Sequence, residues 1–418
     1  LNGPTPSVKR YGYDTRDRLT SIDYEDNSLD ATFSYYPDGS LQSESNSQSS
    51  RSYIYDANNN LIREDITIGS DAYALQYSPN NYDHIDSVTY PSSRVISFSP
   101  DPQGRPTQAT PYVTGISYRS DGLPATISYA NGHTSSYGFN SRLLLDSVAV
   151  NGASSAFGNS FNALDKSYLY DAAGNIDLIT NNENSLNTAA FSYDQQSRIN
   201  AATGNWGSGT YTYDNVQNIT SRSGINTTDD VYTHNAMWLS DINSASTGVQ
   251  RFYGYDADGN IIIESVEDAA VVVKQKLYGF DQAGNLSSVE VNEGVGSITE
   301  SNKYLYSYDT QGHRISRTHQ ETGSNSQFVY NNDGLLMGEY LSAGQLLREN
   351  YYLGRQLIAS VQDLPPNLSP SPDAGSDATI QAGSTVGLDG AGSSDTDGII
   401  TRYEWVPVNA AAQSLVLT

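Results

Sequence analysis

The chain has no cysteine, so no disulfide can staple it, and it must be held together in some other way. In a chain of 418 residues, that absence fits an extracellular bacterial or archaeal protein stabilised by stacked repeats. Apolar residues make up only 37%, little for a thick globular core. Basic residues are scarce, 22 against 47 acidic ones, giving a formal charge of −25. Phosphate binding needs clustered Lys and Arg, so nucleic acid is excluded as a partner, and anionic membrane surfaces are disfavoured. No apolar run approaches a membrane span; Ala269 to Val273 is far too short, which argues against membrane insertion. Stretches of Ala, Leu, Glu and Lys at helical spacing are nearly absent, which argues against long helices. The chain opens on Leu1 with no signal-like start, as expected of a processed chain or a section of a longer one.

What the chain has in excess is tyrosine: 32 Tyr against 9 Phe and 3 Trp. Tyrosine supplies apolar area but keeps a hydroxyl that needs water or a partner, so thin, half-wet sheets are expected. The 35 Gly and abundant Asn, Ser and Asp imply many turns. Both features belong to one repeat. Tyr168-Leu169-Tyr170-Asp171-Ala172-Ala173-Gly174-Asn175-Ile176 is a clear copy, and Tyr253-Gly254-Tyr255-Asp256-Ala257-Asp258-Gly259-Asn260-Ile261 is another. Tyr278-Gly279-Phe280-Asp281 leads to Gly284-Asn285-Leu286, and Tyr306-Ser307-Tyr308-Asp309 leads to Gly312-His313-Arg314-Ile315. Looser copies begin at Tyr11, Tyr53, Phe191 and Tyr211. Roughly sixteen units follow one another between Tyr11 and Tyr352, a stacked-repeat spacing.

The physics of one unit is a β-hairpin. Tyrosines at alternate positions share one face of a strand. Asp opens a type I turn by accepting from backbone N–H groups, and Gly three residues later takes positive φ and closes it with a bulge. Asn59, Ser197 and Gln217 stand where other units have Gly, which leaves a different turn geometry open for those units. One hairpin cannot bury its tyrosine face. Successive units are therefore expected to stack with their rings in cross-strand ladders.

The pattern resembles the YD-repeat or Rhs family over most of the chain. That resemblance implies a spiralling antiparallel sheet. It closes into a hollow shell around a toxin polypeptide in bacterial insecticidal and contact-dependent toxins, and forms an extracellular barrel in teneurins. The segment Tyr351-Tyr352-Leu353-Gly354-Arg355-Gln356-Leu357-Ile358-Ala359 resembles the element that precedes the self-cleaving core of toxin-bearing members, but the core's Asp-Pro motifs do not follow it. Asp101-Pro102-Gln103-Gly104 sits mid-array and reads as an ordinary repeat turn.

After residue 361 the composition shifts. Residues 362–372 form a proline-rich linker, and residues 373–418 resemble the first half of a PKD-type, immunoglobulin-like β-sandwich. Asp395 and Asp397 are its candidate calcium ligands, the only cofactor indicated. A half sandwich exposes strand edges, so pairing with a neighbouring subunit is expected. The expected fold class is all-β: an open or closed spiralling sheet over residues 1–361, with a partial β-sandwich at the C-terminus.

No catalytic set is legible. The five histidines lack ligand spacing, and His313 and His319 are expected to be exposed. No nucleophile elbow, P-loop or dinucleotide motif occurs. The leading expectation is a non-catalytic bacterial protein, extracellular or on the cell surface, structural or adhesive, self-associating into a fibre or surface layer or binding other surface proteins or glycans. Two alternatives stand beside it: part of a toxin-enclosing Rhs shell, and a glycan-binding module.

Overall fold

The computed structural model describes residues 8–362, apart from 26–29, 153–161, 226–227, 236–237, 295–299 and 342–343, together with residue 393. The chain divides into two compact units, Leu1–Val361 and Gln362–Thr418. The linker and PKD-like expectations, and Asp395 and Asp397 with them, lie almost entirely outside the described residues.

The first unit is all-β among its described residues, apart from one 3-10 turn at Ser185–Asn187. Its strands form two sheets, one of nine strands from Lys9 to Ser97 and one of 22 strands from Val113 to Gln362. In both, every strand pairs with the next one in sequence, with no crossover. All the pairings are antiparallel, as a chain of hairpins requires, for example Tyr168 opposite Ile179 and Tyr170 opposite Ile176.

The turn chemistry is uniform. In the unit at Asp171, the Gly174 N–H donates to the Asp171 carbonyl at 3.2 Å, and the Asp171 N–H donates to the Asn175 carbonyl at 2.9 Å. This is the type I turn with a bulge. Gly174, Gly259 and Gly284 have φ of +96°, +88° and +87°. The units without glycine do the same: Asn59, Ser197 and Gln217 have φ of +66°, +59° and +77°. A different geometry is therefore ruled out for them, because the ladder on either side fixes the same turn. The Asp101 unit is an ordinary turn as well, with Gly104 at φ +80° and its N–H bonded to the Asp101 carbonyl.

An added Cβ at Gly284 would meet nothing within 4 Å, so Gly284→Ala carries only a backbone cost. It should destabilise by about 1 kcal/mol, and Ser197→Gly should stabilise by a similar or smaller amount. Urea denaturation of the two variants would measure both.

Two contacts recur between one unit and the next. First, the hydroxyl of the tyrosine before the turn donates to the carbonyl of the residue that opens the preceding unit's return strand. Tyr170 reaches Leu145, Tyr193 reaches Ile176, Tyr213 reaches Ile199, Tyr255 reaches Leu239 and Tyr308 reaches Leu286, all at 2.6–2.8 Å. Second, the residue just before that carbonyl covers the same ring in several units: Arg18 over Tyr35, Arg105 over Tyr118, Arg198 over Tyr213, and His313 stacked on Tyr330. The expected ring-on-ring ladder is thus corrected. Between consecutive units, Tyr36–Tyr55 and Trp238–Tyr255 are the aromatic pairs involving a turn-entry tyrosine. Strand spacing lets a phenol reach across to its neighbour's backbone, and a guanidinium or imidazole fills the gap above the ring.

The opposite face carries small polar side chains. Ser34 pairs with Ser43, Ser117 with Thr126 and Thr212 with Ser221, at 2.6–2.7 Å. The middle residue of the Tyr-x-Tyr triplet lies on this face, small in some units and large and exposed in others, as Leu169 and Ile54 show; at Gly279 the fit is close, and an added Cβ would lie 2.5 Å from the Ser288 hydroxyl.

From Thr134 to Tyr308 no large apolar side chain among the described residues is fully buried. The buried described side chains in that span are small or polar: Ser135, Ala189, Ala202, Asp230, Ser244 and Asn292. The apolar core lies elsewhere. It joins Ile66, Tyr73, Leu75, Val88, Tyr90 and Ile96 of the nine-stranded sheet to the first strands of the larger sheet (Val113, Ile127) and its last ones (Ile315, Val329, Met337, Tyr340, Tyr351). The larger sheet therefore returns nearly onto its own start. Tyr112 stacks on Tyr351 with centroids 4.8 Å apart, and the Gln356 amide donates to the Tyr137 hydroxyl at 3.1 Å. Side chains make this near-closure; the ladder itself ends at Val113–Tyr118 and Gln356–Gln362.

Candidate functional site

The place where the nine-stranded sheet meets the last strands of the larger one is a seam of buried polar groups. The strand Ser49–Tyr55 buries Arg51 and Tyr53 on one face, and Leu61–Ile68 buries Glu64, Ile66 and Ile68. Strand alternation thus puts charged residues into core positions. Arg51 Nη1 donates to Glu64 Oε2 at 2.6 Å, and its other nitrogens lie 3.8 Å from Glu44 Oε1 and from Asp309 Oδ2. Glu64 also accepts from the Tyr77 hydroxyl at 2.6 Å and from the Asn332 N–H at 3.2 Å. Glu44 accepts from Tyr53 at 2.7 Å and from the Gln311 amide at 2.8 Å. Asn46 adds a bond to the Tyr308 carbonyl at 2.9 Å.

A second cluster lies further along the seam. Glu349 is fully buried and accepts from the Tyr351 hydroxyl and the Ser92 hydroxyl, both at 2.6 Å, with Arg94 at 3.6 Å. Between the clusters, the Tyr73 hydroxyl donates to the side-chain oxygen Oε1 of Gln327, and the Gln327 side-chain NH2 donates to Asp71.

Buried carboxylates in such a setting are held by donors rather than by water. Burial by itself would lower the pKa of Arg51; Glu64, with Tyr53 and Asp309, keeps it raised. Burial beside Glu44 pushes the Tyr53 phenol up, and burial beside Glu64 does the same to Tyr77. The phenols therefore remain neutral donors. Arg51, Glu64, Glu44, Tyr53 and Tyr77 bond one another within the nine-stranded sheet, and Asp309, Gln311 and Asn332 reach them from the larger one, which fixes the register of the two sheets.

The turn and ladder residues singled out from the sequence fall into two groups. Tyr170, Asp171, Gly174, Tyr255, Asp256 and Gly259 sit along the wall between Thr134 and Tyr308. Tyr308 and Asp309 enter the seam through the Asn46 and Arg51 contacts. Asp281 and Gly284 belong to the turn whose Ala283 carbonyl accepts from Lys9 at 3.5 Å. The expectation that His313 and His319 are exposed is corrected. Both are half-buried, because His313 lies between Asp309 and Tyr330 and His319 packs against Tyr304. Among the described residues no group of three His, Asp or Glu side chains is arranged to hold a metal ion. Glu44, Arg51, Glu64 and Glu349 escaped the sequence reading. Their signal was charge at the buried phase of the strand alternation.

The aspartates of the turns have a second role that sequence spacing only hinted at. Asp171 Oδ1 accepts from the Asn175 N–H and Oδ2 from the Asn175 side chain, both at 2.9 Å. Asp194 does the same with Arg198, and Asp256 with Asn260. The Asn or Arg four residues on is therefore the clasp of the turn. Bonds from Arg18, Asn60, Asn175 and Arg198 hold Asp14, Asp56, Asp171 and Asp194 below the ordinary 3.8. A depressed folded-state pKa contributes stability that is present above the unfolded value and lost as pH falls through the folded one. The urea midpoint should thus hold from pH 7 to 5 and fall below about pH 4. If relief of the overall negative charge dominated instead, the midpoint would rise on acidification.

Residues 159–337 match the family model described as Teneurin YD-shell. The array is similar to a YD shell. No curated protein sequence matches the chain. Among solved structures, the Photorhabdus luminescens Tc holotoxin pore with a mutated TccC3 is 12% identical with a TM-score of 0.49, covering 85% of this chain and 23% of that one. The TcdB2-TccC3 crystal structure is also 12% identical, with a TM-score of 0.45, covering 85% of this chain and 24% of that one. The chain thus spans about a quarter of the length of these two structures' chains. Among the described residues no helix is long and apolar enough to cross a membrane.

Proposed function

We propose that this chain is a section of a non-catalytic YD-type shell that encloses a polypeptide, in preference to the fibre or adhesive layer expected from composition. The carrying observation is the return of the 22-stranded sheet onto its own first strands and onto the nine-stranded sheet. A wall in which no large apolar side chain among the described residues is fully buried suits an enclosure; the core is reserved for the place where the ends meet. The Teneurin YD-shell match over residues 159–337 supports the same reading. A fibre would instead keep its ends open for the next copy. Self-association, glycan contacts and a bacterial surface location belong to that other reading.

Negative-stain electron microscopy with small-angle scattering on the purified chain tests the choice. Discrete particles of constant size across a concentration series are expected. Filaments that lengthen with concentration would overturn the proposal.

A further inference from the structure

A cleft of about 410 Å³ opens between the end of the nine-stranded sheet and the last strands of the larger one. That volume lies in the range of small-molecule sites. Val88, Leu335 and Met337 make an apolar floor, and the half-buried rings of Phe98 and Tyr352 stand beside them. Asn331 brings a polar group to this surface. In the Asp turns, one carboxylate oxygen binds backbone N–H groups and the other takes the side chain four residues on. The Asn331 turn lacks both halves of that clasp: asparagine replaces Asp, and Leu335 replaces the Asn, Arg or His. The Asn331 side-chain oxygen accepts from the Asp333 and Leu335 N–H groups at 3.1 and 2.8 Å, which fixes the orientation of the amide. Its Nδ2 then faces the cleft with no acceptor among the described residues, although Asn331 is only 7% exposed. The Asn140 turn is built alike, with Leu144 in the clasp position, but Asn140 is less buried. The rim of the cleft is acidic. Asp83 Oδ1 accepts from the Asn58 and Asn60 side chains at 2.9 and 2.8 Å, which leaves Oδ2, and the exposed Asp333 carboxylate accepts no hydrogen bond from the described residues. No Lys or Arg stands among the residues lining the cleft, and its histidine, His84, packs over Gly104.

We propose that this cleft binds a small organic cation with three parts: an apolar ring, an amine and an oxygen acceptor beside the amine. The ring lies against Phe98, Tyr352 and the aliphatic floor. The acceptor takes the hydrogen bond that Asn331 Nδ2 has to give, and the amine meets the carboxylates of Asp83 and Asp333. Each part answers one feature of the cleft. An anion would find no Lys or Arg there and two carboxylates against it. A wholly apolar ligand would leave the Asn331 donor unpaired, which is costly in a buried place. A sugar would set its hydroxyls against the aliphatic floor, away from water. The inference rests on the cleft and not on enclosure, so it stands or falls apart from the form of the particles.

Four related compounds, titrated into the full chain and followed by saturation-transfer NMR, separate the parts. Phenylalaninol has all three. Phenethylamine lacks the acceptor, N-acetyl-phenylalaninol lacks the charge, and phenylalanine carries a carboxylate in place of the alcohol. Phenylalaninol should bind tightest, by about three- to tenfold over each of the others, the worth of one hydrogen bond. Asn331→Asp places at this position the residue that other turns use, so the turn is kept while the donor is lost. It should abolish the preference for phenylalaninol over phenethylamine. Asp333→Asn should shrink the preference for phenylalaninol over its N-acetyl form and leave the urea midpoint unchanged, since that carboxylate is exposed and holds no turn. No binding of any compound at millimolar concentration would overturn the proposal. So would equal affinities for the four, tighter binding of phenylalanine, or preferences that Asp333→Asn and Asn331→Asp both leave intact.

Discussion

Arg51→Met should lower stability by about 3–5 kcal/mol, the largest loss expected from any single change of charge in this protein. Arg51 is the one cation among three carboxylates in a buried setting, with Glu64 fully buried, Glu44 nearly so and Asp309 on the opposing sheet. Methionine would fill most of the volume but leave Glu64 with only the Tyr77 hydroxyl and the Asn332 N–H. A buried carboxylate stripped of its counter-ion costs far more than the pair contributed when intact. Adding Glu64→Gln to Arg51→Met should recover much of the loss. Glutamine removes the orphan charge and still offers an oxygen to Tyr77. Urea denaturation of the wild type, the single variant and the double variant decides the matter. A single-variant loss below 1 kcal/mol would show that the seam tolerates the charge, through water or rearrangement. Limited proteolysis would locate the damage. Cleavage should appear first at the seam and not in the middle of the array, because the wall does not depend on Arg51.

Tyr351→Ala should cost a comparable amount, about 3–5 kcal/mol, for a different reason. The ring is fully buried, stacked on Tyr112 and edge-on to Tyr90, and these contacts bring the two ends of the larger sheet together over the smaller one. Truncation opens a cavity at that junction and removes one donor from buried Glu349. Tyr351→Phe separates the two effects. It keeps the packing and loses only the hydroxyl bonded to a buried carboxylate, for about 1.5–3 kcal/mol. The same substitution along the wall should do less. Tyr170→Phe loses a neutral bond to the Leu145 carbonyl, for about 0.5–1.5 kcal/mol. Thermal and urea denaturation of the three variants would rank them. If Tyr170→Phe proved as damaging as Tyr351→Phe, the distinction between wall and seam would fail.

The repeat unit was open to inspection from the start. Asp171, Gly174 and Asn175 specify a turn through local bonds, and alternation sends Tyr168 and Tyr170 to one face, so no distant partner is needed to read a hairpin. The all-β class followed from that and from the absence of helical spacing. The manner of stacking was less legible. Ring ladders were expected because tyrosine is aromatic, but the phenol hydroxyls won, reaching the backbone of the previous unit. Arg18, Arg105 and Arg198 clasp one turn and cover the next unit's ring, a double role that only the packing of neighbouring units reveals.

Local sequence by itself therefore determined the hairpin, its turn and the order of the strands, because each depends on residues within one unit of each other. Tertiary structure alone decided where the ends meet. The partners of Arg51, Tyr73 and Ser92 in the seam lie about 254 to 258 residues away, as Asp309, Gln327 and Glu349. Such pairing is set by the accumulated twist and stagger of many strands, a quantity that no single repeat encodes.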